Sequence, residues 1–188
     1  MEVEQQLTNK ELRKNIFVIV WPVFVEVLLG ALFGMVDMMM VGKVPGDTAA
    51  AVSAVGMTNQ PMFLGLSLIQ ALNVGGTAII ARYFGAKKYN RMGSILKHVM
   101  ILAMVFCVTP AAILMLIFAP EILGLMGADE NVINVGLNYF RIVTIGFIFQ
   151  SLSFTVTAAL RGIGETKIPM KNNIIANSCN VLGNAILI

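Results

Sequence analysis

Charge is scarce in this sequence. Only 12% of its 188 residues are Asp, Glu, Lys or Arg, against 57% hydrophobic residues; a water-soluble domain carries about 25% charged residues. That shortage excludes a soluble globular domain. Histidine and cysteine are nearly absent as well: there is one His, His98, and two Cys, Cys107 and Cys179. A lone imidazole has no partner set for a metal. The two thiols lie in different apolar stretches, where a thiol behaves as a small hydrophobe, so neither a disulfide nor a metal site is expected. No nucleophile and base stand at catalytic spacing. The run Gly162-Ile-Gly164-Glu-Thr-Lys167 lacks the spacing of a P-loop or dinucleotide fingerprint and follows an apolar stretch rather than a strand. The chain does not read as an enzyme, and no cofactor is expected.

What is present is a series of apolar runs. About 20 helical residues cross the roughly 30 Å of bilayer hydrocarbon, and runs of that length recur along the whole chain. The spans expected are about 16–42, 52–81, 99–120, 131–160 and 172–188, preceded by an N-tail at 1–15 in which Thr8 and Glu11 have the spacing of a helix capping box. The fold class is therefore an all-α polytopic membrane bundle with four complete spans and a fifth in progress at Ile188. The N-tail leads with Glu2 and Glu4 and runs into a span far too long for a cleaved signal. The chain stops at Asn-Ala-Ile-Leu-Ile with no polar flank, which reads as the front part of a longer protein, since a helix ending in hydrocarbon leaves its last carbonyls unsatisfied.

The connections alternate in charge. Lys10, Arg13 and Lys14 lie in the tail, Arg82, Lys87, Lys88, Arg91 and Lys97 in the second connection, and Arg161, Lys167 and Lys171 in the fourth; Lys43 and Arg141 alone fall on the other side. Basic loops stay cytoplasmic, so the N-terminus is expected in the cytoplasm of a multi-pass protein of the plasma membrane. The net charge of +3 is then a matter of topology. It lacks the clustered basic surface of a nucleic-acid reader, and no nucleic-acid partner is expected.

Ionisable groups inside a span are costly and by default mark a function. Glu26 and Asp37 are the two acids of the first span. Eleven residues at 100° each bring both to one helix face, about 16 Å apart along the axis. Burial favours protonation of Asp37 and a nearby cation opposes it, a competition suited to ion coupling; the plainer reading is a carboxylate at the outer boundary that reaches water. Glu26, near Pro22, serves packing or hydrogen bonding as readily as transport. On the fifth span Asn173, Asn177, Asn180 and Asn184 share one face, fit either to ligate a cation or polar substrate or to hydrogen-bond between helices. Pro22 and Pro61 remove backbone donors, and Gly30 and Gly34 have small-xxx-small spacing. Met38, Met39 and Met40 suit a pliable pocket or simple filler. The spans carry internal acids and no internal Lys or Arg.

Taken together, the motifs carry a resemblance. Trp21-Pro22, Asp37-Met-Met-Met-Val-Gly42, Ala54-Val55-Gly56, Ile80-Ala81-Arg82-Tyr-Phe-Gly85-Ala86, Pro120-Glu-Ile-Leu-Gly-Leu-Met-Gly127-Ala128, Tyr139-Phe-Arg141-Ile142 and Ala159-Leu160-Arg161-Gly162-Ile-Gly164-Glu-Thr-Lys167-Ile-Pro169 follow in order. From about residue 12 onward the chain resembles the multidrug and toxic compound extrusion (MATE) transporters. The resemblance implies twelve helices in two lobes, of which this chain supplies the first lobe without its sixth helix, the second lobe being the missing partner. It implies export of small organic cations across the lipid bilayer in exchange for H⁺ or Na⁺. Asp37 then matches a first-helix aspartate of cation or proton coupling, Asn180 a fifth-helix asparagine of the same site, and Pro22 a proline where that helix bends. Asn184 stands where one branch has an aspartate, so the coupling ion stays open. Glu26 and Asn177 are further polar candidates for the cavity. The alternatives are a lipid-linked oligosaccharide flippase of related plan, whose sign would be a basic central cavity, and a non-transporting scaffold or inert fragment.

Overall fold

The computed structural model describes residues 9–43 and 46–187. Thr8, one half of the expected capping box, lies outside the described residues. Among these residues seven α-helices and one π-helical stretch follow in order: α1 Asn9–Val41, α2 Thr48–Gly85, α3 Tyr89–Leu102, the π stretch Ala103–Val108, α4 Thr109–Ile117, α5 Ala119–Leu125, α6 Glu130–Gly162 and α7 Lys167–Leu187. No strand occurs among the described residues. Among the described residues four stretches are long and apolar enough to cross a membrane: Glu11–Val41, Thr48–Gly85, Tyr89–Ile117 and Glu130–Gly162. The chain is a multi-pass helical membrane protein.

Hydropathy marks the hydrocarbon, not the ends of helices. The long helices extend past the apolar runs, because their backbone groups stay paired by continuing. Thus α1 is helical from Asn9, ahead of the span expected from 16, and α3 starts at Tyr89 rather than near 99. The basic stretch 82–97 is accordingly not a loop. Arg82 sits in the last turn of α2 and Arg91 and Lys97 lie within α3, leaving a turn at residues 86–88. Arg161 similarly belongs to the last turn of α6.

Prolines and caps explain the breaks. Pro110 has no N–H for the carbonyl of Phe106 and its ring would crowd that carbonyl in an α-helix. The helix widens just before it, and Thr109 N–H donates to Met104, five residues back, the spacing of a π-helix. Pro120 stops α4 and opens α5 at a bend centred on Phe118 (φ −100°, ψ 28°). Asp47 caps α2 by accepting from Ala50 N–H at 3.0 Å, and Asp129 caps α6 by accepting from Val132 N–H at 2.8 Å, each satisfying an orphan amide of a first turn. Asn131 donates to Asp47 at 2.7 Å and so ties the two caps together.

The core lies between α2 and α6, with the π stretch, α4 and α5 closing one side. Met62 and Ile69 of α2 meet Phe140 and Phe147 of α6, Val108, Met115 and Leu123. Contact is close because side chains are missing where the helices cross: a Cβ on Gly136 would lie 2.5 Å from Ala54 Cβ, the small-residue packing on which membrane helices rely. Thr77 Oγ1 donates across the interface to the Ala158 carbonyl at 3.0 Å. The buried hydroxyls of Thr58, Thr144 and Thr155 donate to carbonyls four residues back in their own helices, so none is left unpaired. Helix α1 stands apart from this body and packs mainly along α7; Phe17, Trp21 and Phe24 form a stacked ladder on its exposed face, with centroids 5.7 and 5.9 Å apart.

Candidate functional site: two carboxylates on one helix face

Helix α1 runs through Pro22 as one helix. Pro22 and Glu26, one turn apart, are both buried. The acidic face anticipated on α1 looks at the asparagine face of α7, and the two carboxylates are met there at separate levels.

At the level nearer the N-terminal end of α1, Glu26, 8% exposed, receives two donors. Arg161 Nη2 from the last turn of α6 approaches Oε2 at 2.9 Å, and Asn173 Nδ2 from α7 donates to Oε1. The expectation that no Lys or Arg points inward is corrected by Arg161: with α6 helical through Gly162, its side chain reaches the bundle instead of a solvated loop. Its charge is matched by Glu26, so the pair does not make the basic cavity of a flippase. The arrangement joins α1, α6 and α7 at one point. Beside it lies a cavity of about 100 Å³ lined by Glu26, Gln150, Ser153, Phe154, Thr157 and Asn173. Phe154 and Thr157 also wall a groove of about 390 Å³ that reaches Gln70, Asn73 and Arg161. Asn73 is 5% exposed and its Oδ1 has no hydrogen-bond partner.

At the level nearer the C-terminal end of α1, Asn184 Nδ2 donates to Asp37 Oδ1 and also lies 3.2 Å from Asn180 Oδ1. Asp37, Asn180 and Asn184 therefore lie together. Tyr139 of α6 lies within electrostatic reach of Asp37. One carboxylate with neighbouring amide oxygens is a set of hard oxygen donors, suited to a proton or a small hard cation. Asn177 stays out of both levels and donates to the Asn173 carbonyl of its own helix at 2.8 Å. Among the described residues no three His, Cys, Asp or Glu side chains gather as a metal site.

Arg161 and Tyr139 are the residues that sequence reasoning left unassigned here. A signal for Arg161 was available: it closes the C-terminal end of the fourth span, which the alternation of charge puts on the same side as the N-tail and the nearer half of the first span, where Glu26 lies, and an internal acid calls for a cation.

Comparison with known proteins agrees with this architecture. The MatE family profile matches residues 22–186. The chain is 31% identical over 183 residues to the probable multidrug resistance protein YoeA of Bacillus subtilis, covering 95% of this chain and 38% of that protein. It is 26% identical over 176 residues to the probable multidrug resistance protein NorM of Thermotoga maritima (91% and 36%) and 24% identical over 170 residues to the multidrug export protein MepA of Staphylococcus aureus (89% and 36%). The chain thus spans less than two fifths of these relatives. No solved structure matches it.

Proposed function

The chain belongs to the MatE family, and on that premise we propose that it forms the first part of a multidrug efflux carrier that exports organic cations in exchange for H⁺ or Na⁺. The observation that supports this reading is the outer cluster: Asp37 is an intramembrane carboxylate held by Asn184, with Asn180 alongside. In the proposed cycle Asp37 binds the coupling ion. An organic cation competes for the same negative charge from a cavity shared with the second lobe, and the two ligands favour different conformations. Antiport requires such a difference in affinity between two states.

Glu26 has a different place in this scheme. Its charge is already matched by Arg161, so it fixes α1 and α7 to α6 at the inner end while the outer end is left to respond to the ion. Pro22 lies one turn from Glu26 and is the proposed place where α1 bends. The charge pattern supports an N-terminus in the cytoplasm and a plasma-membrane location.

The test is efflux of an ethidium-like cation from proteoliposomes of the whole carrier under imposed H⁺ or Na⁺ gradients. Efflux that follows one gradient supports antiport and names its ion. Transport that ignores both gradients, or no movement of any organic cation, refutes it.

A further inference from the structure

The turn between α2 and α3 concentrates positive charge without any counter-charge. Residues 82–97 contain Arg82, Lys87, Lys88, Arg91 and Lys97 and neither Asp nor Glu. Among the described residues none of these five has a carboxylate within ion-pair distance. The turn is also built firmly. Ala86 N–H donates to the Arg82 carbonyl at 3.0 Å, Lys87 N–H to Phe84 at 2.9 Å and Lys88 N–H to Tyr83 at 3.0 Å, while Lys87 takes the left-handed φ of 56°. Two adjoining hollows open on it. One, about 400 Å³, is lined by Ile79, Arg82, Tyr83, Ala86 and Lys88, and the other, about 350 Å³, by Lys87, Lys88, Tyr89, Asn90 and Arg91.

The first hollow has two chemical ends. Ile79, 48% exposed on the membrane-spanning part of α2, is apolar, and Arg82 and Lys88 are the cationic residues of the lining. Tyr89 and Phe84 meet edge to face at 5.8 Å beside it, the type of aromatic pair that settles at a membrane–water boundary.

We propose that this turn is a binding site for the anionic headgroup of a phospholipid, with the phosphate between Arg82 and Lys88 and the start of an acyl chain against Ile79. A free phosphate ion would satisfy the two cations but not the apolar end. Each basic residue near an anionic membrane surface strengthens such binding about fivefold. The site is independent of the transport reading, because it uses no residue of the Asp37 or Glu26 clusters.

The experiment is native mass spectrometry of the delipidated whole carrier after adding phosphatidylglycerol or phosphatidylcholine. Phosphatidylglycerol is expected to be retained preferentially, and Arg82→Gln with Lys88→Gln to weaken that retention by at least tenfold. Lys167→Gln with Lys171→Gln, at the other basic connection, should leave it in place. Because removing basic residues also bears on topology, Ala86→Trp provides a second test: it fills the hollow at constant charge and is expected to expel the lipid. Retention of phosphatidylglycerol by either lipid-site variant at the level of the unaltered protein overturns the proposal. Displacement of the lipid by inorganic phosphate, where sodium chloride of equal ionic strength does not displace it, identifies a free anion as the occupant and also overturns it.

Discussion

The Glu26–Arg161 bridge should respond unequally to being cut from its two ends. Glu26 is 8% exposed and Arg161 36%. Arg161→Met leaves a carboxylate among buried side chains with the Asn173 amide as its remaining donor. Stranding one partner of a fully buried pair costs about 3–5 kcal/mol; with Arg161 a third exposed and water close by, screening lowers this to about 2–3 kcal/mol. Glu26→Gln instead strands the partner that reaches water and keeps a carbonyl for Asn173 to donate to, so the loss should be about 1 kcal/mol. The double variant should resemble Glu26→Gln alone, because no uncompensated carboxylate remains. Thermal unfolding of the whole carrier in detergent reads these differences at roughly 1–2 °C per kcal/mol, the shift shrinking as chain length grows. Equal losses from the two single variants, or a double variant as unstable as their sum, would refute the reasoning that the buried carboxylate sets the penalty.

Three further outcomes follow from the packing and the caps. Gly136→Leu must push α6 away from Ala54 of α2, where even a Cβ would come within 2.5 Å; the expected loss is about 1–3 kcal/mol, and an unchanged melting temperature would contradict the close crossing. The Asp47 carboxyl, outside the spans, is held below its ordinary value of 3.8 by the Ala50 amide first and then by Asn131. Its stabilising contribution is complete above that ordinary value and disappears as pH falls through the lowered one, so Asp47→Asn should lose less melting temperature than the parent between about pH 5 and pH 2, and parallel curves would count against the cap. Asn184→Ala takes away the donor to Asp37 and is expected to change the ion dependence of efflux while leaving the fold intact, as checked by steady-state transport at several ion concentrations and by circular dichroism.

The membrane plan was readable from residue order because it depends on local quantities. Apolar run length gives the spans, and a 3.6-residue period puts Glu26 with Asp37, and Asn173 with Asn180 and Asn184, on single faces. What a one-dimensional pattern does not carry is which face meets which. The pairing of Asp37 with Asn184 was implied only through the resemblance, and Asn177, identical in type and on the same face, bonds to its own helix instead. Arg161 was read as a loop charge because hydropathy stops at the hydrocarbon edge while α6 continues through Gly162. The same effect turned the basic stretch 82–97 from a long connection into a tight turn. The π stretch before Pro110 had its cause in plain view, since a proline within an apolar run has to displace a hydrogen bond, but where the extra residue is absorbed depends on the packing of Val108 into the core.

In the proposed cycle Asp37 carries the coupling ion and Glu26, neutralised by Arg161, does not. Ion-driven ethidium efflux by the whole carrier bearing Asp37→Asn, measured beside Glu26→Gln, separates the two roles. Asp37→Asn is expected to abolish the dependence of efflux on the ion gradient, whereas Glu26→Gln lowers stability and keeps that dependence. Ion-driven efflux that survives Asp37→Asn unchanged would contradict this assignment.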